Sequence, residues 1–212
     1  MKYTHVIWDF NGTVLNDVEV GIKSINTLLQ KRGLPKLKSV EEYRDVFGFP
    51  IIEYYKRIGF DFSKEPFSEV AREWVEEYMK NVACATVMPC VVETIKRLRG
   101  YGLSQVLISA TERGMLNRQL KMLGILSLFD HVFGLDNIHA QNKISAALRW
   151  REQVPDAKAI FVGDTDHDFE TSRAVGADCV LCCCGHQPKN KLVKLGATVI
   201  DSVAELEKII LG

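Results

Sequence analysis

The sequence predicts an α/β fold: a Rossmann-like, doubly wound parallel sheet with an α-helical domain inserted after its first strand. Three observations carry this. Short apolar, β-branched runs recur at His5–Trp8, Gln105–Ile108, His131–Phe133, Ala159–Val162 and Cys179–Cys183, with Thr198–Ile200 as a sixth candidate. From residue 89 onward these runs alternate with segments of helical periodicity, the pattern of a parallel sheet covered on both faces. Between Asp17 and Val82 the periodicity is helical throughout, with no strand-like run.

Taken in order, the inserted stretch holds four helical segments: VEVGIKSINTLLQKRG, SVEEYRDVF, IIEYYKRI and FSEVAREWVEEYM. Ser39 with Glu42 forms a capping box for the second. The expected division is a core of residues 1–15 plus 86–212 and a helical domain of residues 16–85. In the core, Pro89 suits the first position of a helix carrying Val92, Ile95 and Leu98 and stopped by Gly102. Met115, Leu116, Leu120 and Leu123 mark the next helix, stopped by Gly124. Ile144, Ala147, Leu148 and Trp150 mark another, and Ser202 with Glu205 opens the last with a capping box. There is no internal repeat.

A chain of 212 residues buries roughly 70% of its unfolded surface and needs no disulfide or metal staple. Lysine plus arginine equal aspartate plus glutamate at 27 each, which argues against a nucleic-acid partner, since such affinity rests on a basic face. Lys189, Lys191 and Lys194 read as the wet face of a short helix. No segment reaches the ~20 apolar residues of a membrane helix, and Asp9 interrupts the only candidate leader. A cytoplasmic monomer or homodimer with no membrane partner is expected. Six cysteines, four of them in CVLCCC at 179–184, are not spaced as a disulfide framework. A zinc site from Cys179, Cys182 and His186 is disfavoured, because alternating strand residues point to opposite faces. Buried free cysteines in a strand are expected instead.

Three apolar runs end in a particular kind of polar residue: Val6-Ile7-Trp8 in Asp9, Val106-Leu107-Ile108 in Ser109, and Ile160-Phe161-Val162 in Gly163-Asp164. Open α/β sheets bind ligands outside the carboxyl ends of their strands, where strand order reverses. These side chains are therefore expected to meet in one crevice. Asp9 also has a plainer reading as a turn acid, since Asn11-Gly12 is a strong hairpin signal.

WDFNGT with Asp9 to Thr13, the strand-terminal Ser109, Lys143 in HAQNK, and Gly163-Asp-Thr-Asp-His-Asp168 together resemble the four ordered motifs of the haloacid dehalogenase superfamily. FGFP-IIEYY and GDTDHDFETSRAVGADCVL further resemble its phosphoglycolate phosphatase-like members. The resemblance implies a helical cap over the crevice, Mg²⁺ as cofactor and a small phosphorylated metabolite as substrate, with phosphoglycolate as the family-level guess. It implies Asp9 as nucleophile, forming an aspartyl-phosphate that water then hydrolyses. A phosphate ester is repelled by a bare carboxylate, so this nucleophile needs a cation beside it. Asp9, Asp164 and Asp168 supply the oxygen donors Mg²⁺ prefers, and the resemblance adds the main-chain carbonyl of Asn11. Lys143 is expected to neutralise the transferring phosphoryl group. Ser109 and main-chain amides around Gly12 and Ala110 are expected to bind its oxygens, with Thr13 holding the loop and nucleophile. The loop at Gly48-Phe49-Pro50 is the cap element expected to face the site.

One position departs from the pattern. Phosphatases of this superfamily carry a second aspartate where Asn11 stands, protonating the leaving alkoxide and then activating water, and an amide does neither. General acid–base catalysis contributes ~10²–10⁴-fold against accelerations that reach ~10²¹-fold, so the loss slows such an enzyme without erasing it. Asn11→Asp is then expected to raise kcat, most for poor leaving groups. Four readings stay open: hydrolysis with another acid, P–C bond hydrolysis like phosphonoacetaldehyde hydrolase with Lys56 as a nominal Schiff-base lysine, an isosteric replacement that traps a complex, and a non-catalytic binder of phosphorylated ligands. Dehalogenases also lack the second aspartate but do not need the acidic fourth motif. A receiver domain would lack both the helical insertion and that motif.

Overall fold

A computed structural model describes residues 2–136 and 143–212. In chain order its strands are β1 (His5–Trp8), β2 (Leu15–Asn16), β3 (Thr86–Val87), β4 (Ser104–Glu112), β5 (His131–Leu135), β6 (Ala159–Gly163), β7 (Asp178–Cys182) and β8 (Thr198–Ile200). Six of them form one parallel sheet in the order β5-β4-β1-β6-β7-β8. β1 is central, with Ile7 opposite both Val106 and Phe161. The chain builds outward from β1 on one side through β4 and β5, then on the other through β6 to β8. Strand order therefore reverses at the carboxyl end of β1, where Asp9 follows Trp8.

Alternation along the strands explains the two covered faces. Val6 and Trp8 join one buried cluster with Leu107, Ile160 and Val162, beneath helices α5 (Val91–Gly100), α6 (Arg113–Met122) and α10 (Leu206–Leu211). Ile7 faces the opposite cluster with Val106, Phe161, Ala147 and Trp150, beneath α7 (Lys143–Gln153) and α8 (Asp166–Ala174). The fully buried Trp8 indole donates to Gln105 Oε1 at 2.8 Å, tying β1 to β4.

Between β2 and β3 lie α1 (Val18–Lys31), α2 (Val40–Val46), α3 (Ile51–Arg57) and α4 (Phe67–Asn81). They share their own buried cluster of Ile25, Leu28, Leu29, Tyr54, Tyr55 and Val70. β2 and β3 pair antiparallel, Leu15 with Val87 and Asn16 with Thr86, so the chain leaves and re-enters the sheet side by side. Ser39 caps α2 by accepting from Glu42 N at 3.1 Å. A short helix α9 (Lys189–Leu192) follows β7, and Lys189 pairs there with Asp201.

Several expectations are corrected. The strand expected to end at Ile108 continues to Glu112, because a bulge between Ile108 and Glu112 carries the chain past β5 before pairing resumes at Leu135. Pro89 lies in a turn with Cys90, which adopts a left-handed φ of 66°, and the helix begins at Val91. The Ser202 capping box starts a single 3₁₀ turn, Val203–Glu205, before α10. Cys182 and Cys184 form a disulfide with a Cα separation of 5.4 Å. This differs from the all-free reading because β7 ends at Cys182 and the turn after it brings the next-but-one cysteine back. Residues 139–142 of HAQNK lie outside the described residues. Among the described residues, no helix is long and apolar enough to cross a membrane.

Candidate active site

Two strand ends and the start of a helix build the floor of the site. β1 delivers Asp9, β6 delivers Asp164, and α8, starting just after β6, delivers Asp168. A carboxylate oxygen from each lies within 4.8 Å of the others, and all three residues are buried. α8 fixes Asp168 through a reciprocal cap: Thr165 Oγ1 accepts from Asp168 N, while Asp168 Oδ2 accepts from the Thr165 and Asp164 main-chain amides at 2.9 and 3.0 Å. Gly163 makes this possible, because a Cβ there would meet Asp168 Cγ at 2.3 Å. Thr13 donates to Asp164 Oδ1 at 2.8 Å and His186 N to its Oδ2 at 2.7 Å. Gly12 has φ +76°, and a Cβ on it would strike Asp164 Oδ2 at 2.3 Å.

Lys143, the first residue of α7, sits between Asp9 and Asp168 and donates to both. Burial alone would lower its ammonium pKa, but the charges of Asp168 and Asp9 outweigh that and hold it protonated. Burial would raise the Asp168 carboxyl, yet Lys143 and the Thr165 hydroxyl keep it below the usual range. Asp9 goes the other way. Its burial, only partly offset by Lys143 and reinforced by Asp168 and Asp164, pushes its carboxyl well above the ordinary value.

One ammonium among three buried carboxylates leaves the cluster short of positive charge. Its donors are hard oxygens, so the residues present fit a Mg²⁺ ion. Mg²⁺ is accordingly expected to raise the thermal midpoint of the protein, by the equivalent of about 2.7 kcal/mol at a hundred times Kd. Thermal scans with and without Mg²⁺ check this, and Asp164→Ala is expected to flatten the response.

The bulge in β4 turns Ser109, Ala110 and Thr111 toward Asn11. Ser109 Oγ accepts from Thr111 N at 3.0 Å, and Thr111 Oγ1 donates to Asn11 Oδ1 at 3.1 Å. The other end of the Asn11 amide is also engaged: Nδ2 donates to Asp17 Oδ2 at 2.7 Å and Tyr78 Oη at 2.9 Å. Asp17 is buried and has four donors, from Asn11, Tyr78 Oη, Gly12 N and His186 Nε2. Against the cost of burial, His186 and these hydrogen bonds hold the Asp17 carboxyl low. Burial disfavours the His186 imidazolium, but Asp17 outweighs it and raises the pKa to about 9. Tyr43 Oη contacts the other ring nitrogen of His186 at 2.8 Å.

Above this floor, under the helices between β2 and β3, lies a cavity of about 330 Å³. Asp9, Asn11, Ser109, Ala110, Lys143 and Asp168 line it, whereas Gly12, Thr13 and Asp164 do not. Thr13 holds Asp164 rather than Asp9. Phe49 lines the cavity from the Gly48–Pro50 loop and packs at a tilt against His167, with centroids 4.6 Å apart. α2 is tied to the loop after β7: Arg44 donates to the Gly185 and Cys184 carbonyls at 2.8 and 2.7 Å. Lys56 is on the surface beside Glu53, away from the cavity.

Residues 6–182 match the family model described as haloacid dehalogenase-like hydrolase. The chain belongs to this family. Over 95% of its length it is 26% identical to a phosphoglycolate phosphatase of Pseudomonas savastanoi, covering 77% of that protein. Over 83% it is 26% identical to a pyrophosphatase candidate of Caldanaerobacter subterraneus, covering 80%. A haloacid dehalogenase-like hydrolase structure from Streptococcus pneumoniae superposes over 99% of both chains with a TM-score of 0.83 at 18% identity, a likeness of fold.

Sequence reasoning singled out none of Asp17, Tyr78 and Tyr43, and His186 entered it only as a zinc ligand. Asp17 directly follows the WDFNGT stretch, and its short acidic side chain before an apolar helix reads as an N-cap. It makes no cap hydrogen bond and turns into the site instead. No metal-type cluster involves His186 among the described residues.

Proposed function

We propose that the protein is a Mg²⁺-dependent phosphatase that hydrolyses a small phosphorylated metabolite through an aspartyl-phosphate on Asp9. One observation carries this reading: the buried group of Asp9, Asp164 and Asp168, with Lys143 among them, at the sheet's switch point and at the floor of a cavity of about 330 Å³. The family of the chain and the phosphatases among its relatives support it.

Asp9 attacks phosphorus, and the bond from phosphorus to the leaving oxygen breaks. Mg²⁺ held by Asp9, Asp164, Asp168 and the Asn11 carbonyl would offset the charge of the phosphoryl group and its nucleophile. Lys143, already between Asp9 and Asp168, adds a fixed positive charge on the same group. Ser109 and the main-chain amides of the β4 bulge offer donors to the phosphoryl oxygens. Water then attacks the aspartyl-phosphate and returns Asp9. In this reading residues 16–85 act as a cap that keeps bulk water out. The surface position of Lys56 gives a Schiff-base route no support.

Turnover of p-nitrophenyl phosphate and a panel of metabolite monoesters, with Mg²⁺ and after EDTA, tests the proposal. Hydrolysis that needs Mg²⁺ is expected. No turnover of any ester, together with tight binding of a phosphate analogue, would replace the enzyme with a phospho-ligand binder.

A further inference from the structure

Asn11 stands two residues after Asp9 in the chain, is partly exposed, and lines the same cavity. The direction of its amide is dictated by its neighbours. Asp17 accepts from the Gly12 amide and the Tyr78 hydroxyl, so the Asn11 atom 2.7 Å from Asp17 Oδ2 has to be the nitrogen. The second amide hydrogen goes to Tyr78 Oη at 2.9 Å, because that hydroxyl gives its own hydrogen to Asp17 at 2.7 Å. Both hydrogens of Asn11 are therefore committed, one to the residue before α1 and one to α4.

The carbonyl end of the amide then faces β4, where Thr111 Oγ1 lies 3.1 Å from Asn11 Oδ1. A carbonyl oxygen only accepts, so the Thr111 hydroxyl hydrogen lies on that line. Thr111 is itself fixed in place. Its amide donates to Ser109 Oγ at 3.0 Å, and its carbonyl oxygen passes so close to Gly134 of β5 that a Cβ there would stand 2.8 Å away. The bulge thus brings one hydroxyl to the one end of Asn11 that the Asp17 side leaves open.

With both hydrogens committed, Asn11 offers a molecule in the cavity only an acceptor, the remaining lone pair of Oδ1. A departing oxygen that is gaining negative charge draws no help from an acceptor. A water molecule does, because it brings two donors. The amide therefore suits the second half of the reaction, in which water meets the aspartyl-phosphate, and not the first.

We propose that Asn11 orients the water that hydrolyses the aspartyl-phosphate, and that Thr111 is the positioning residue that aims the Asn11 carbonyl. The water donates to Asn11 Oδ1 and its oxygen bonds to phosphorus. The bond from phosphorus to Asp9 breaks, its electron pair returns to the carboxylate, and both water hydrogens leave with inorganic phosphate. The claim rests on the phosphatase reading, and the two give separate signals.

The test follows p-nitrophenyl phosphate by rapid mixing with the Mg²⁺-loaded protein. It uses Thr111→Val and Thr111→Ala, which lack the hydroxyl, and Thr111→Ser, which keeps it. Early release of p-nitrophenolate reports transfer to Asp9, and decay of acid-quenched phosphoprotein reports hydrolysis. Thr111→Val and Thr111→Ala should each slow the decay roughly five- to tenfold, the worth of one neutral hydrogen bond. The first step and kcat/KM should stay at the wild-type values, and Thr111→Ser should restore the decay. Equal slowing of both steps would overturn the proposal, since the side chain would then be merely structural. Decay unchanged in Thr111→Val, or as slow in Thr111→Ser as in Thr111→Val, would also overturn it and leave the phosphatase reading intact. A wild-type protein that releases p-nitrophenolate with no phosphoprotein would overturn the aspartyl-phosphate step itself, and one that does neither would overturn the phosphatase reading.

Discussion

Asp9→Asn is expected to end turnover of every phosphate ester while leaving the metal-free protein at least as stable, whereas Lys143→Met should lose both activity and stability. The two residues touch each other, so their opposite effects on stability separate charge from packing. Asp9 is the carboxylate that burial and two like charges penalise. Its amide removes one negative charge from a cluster that holds too many, and Lys143 keeps Asp168 as a partner. Activity is lost because an amide does not attack phosphorus. Lys143→Met leaves Asp9, Asp164 and Asp168 together without their cation. Removing one member of a buried ion pair typically costs about 3–5 kcal/mol, and a lost charge on the phosphoryl group lowers kcat by about 10²–10³-fold. Urea unfolding in EDTA, beside kcat in Mg²⁺, measures all four quantities. A Lys143→Met protein as stable as wild type in EDTA would show that the cluster does not depend on its lysine.

The second large effect concerns Asn11. From the sequence, Asn11→Asp is expected to accelerate turnover by restoring an acid. The geometry opposes the single change, because the new carboxylate would replace a donor with an acceptor at 2.7 Å from Asp17 Oδ2. Asn11→Asp alone is therefore expected to destabilise the fold by about 1–3 kcal/mol. The exchange Asn11→Asp with Asp17→Asn re-pairs amide with carboxylate, and Tyr78 then accepts from residue 17 and donates to residue 11. It should recover much of the stability, less the ion pair between Asp17 and His186. It should also raise kcat on alkyl phosphates by up to about 10²-fold. A double-mutant cycle in urea tests the coupling. Additive losses in the two single variants and the exchange would mean that Asn11 and Asp17 do not act as a pair.

The sheet was legible because its signals are local. Apolar runs mark β1 and β8 to the residue, and strand–helix alternation implies parallel pairing without reference to partners. The region of Ser109 was harder. The bulge that carries β4 on to Glu112 depends on what β5 offers alongside, and no pattern within Gln105–Glu112 encodes it. The acidic cluster could be read because β1 and the segment after β6 each carry its residues in a short ordered stretch. The Asp17 network could not. Its members come from five stretches, around residues 11, 17, 43, 78 and 186, and each is ordinary where it stands.

Arg44 gives the molecule an asymmetry of motion. On one side the helices of residues 18–81 join the sheet through the covalent chain at β2 and β3, whose main-chain pairing acts as a fixed axle. On the other, two hydrogen bonds from the half-buried Arg44 to the Cys184 and Gly185 carbonyls fasten α2 to the loop that carries His186. Water can replace such side-chain contacts far more readily than it can part the axle. Opening of the cavity is therefore expected to begin at the side-chain seam by Gly185, where Arg44, Lys191 and Tyr43 make the contacts, and to pivot about the main-chain pairing at Leu15.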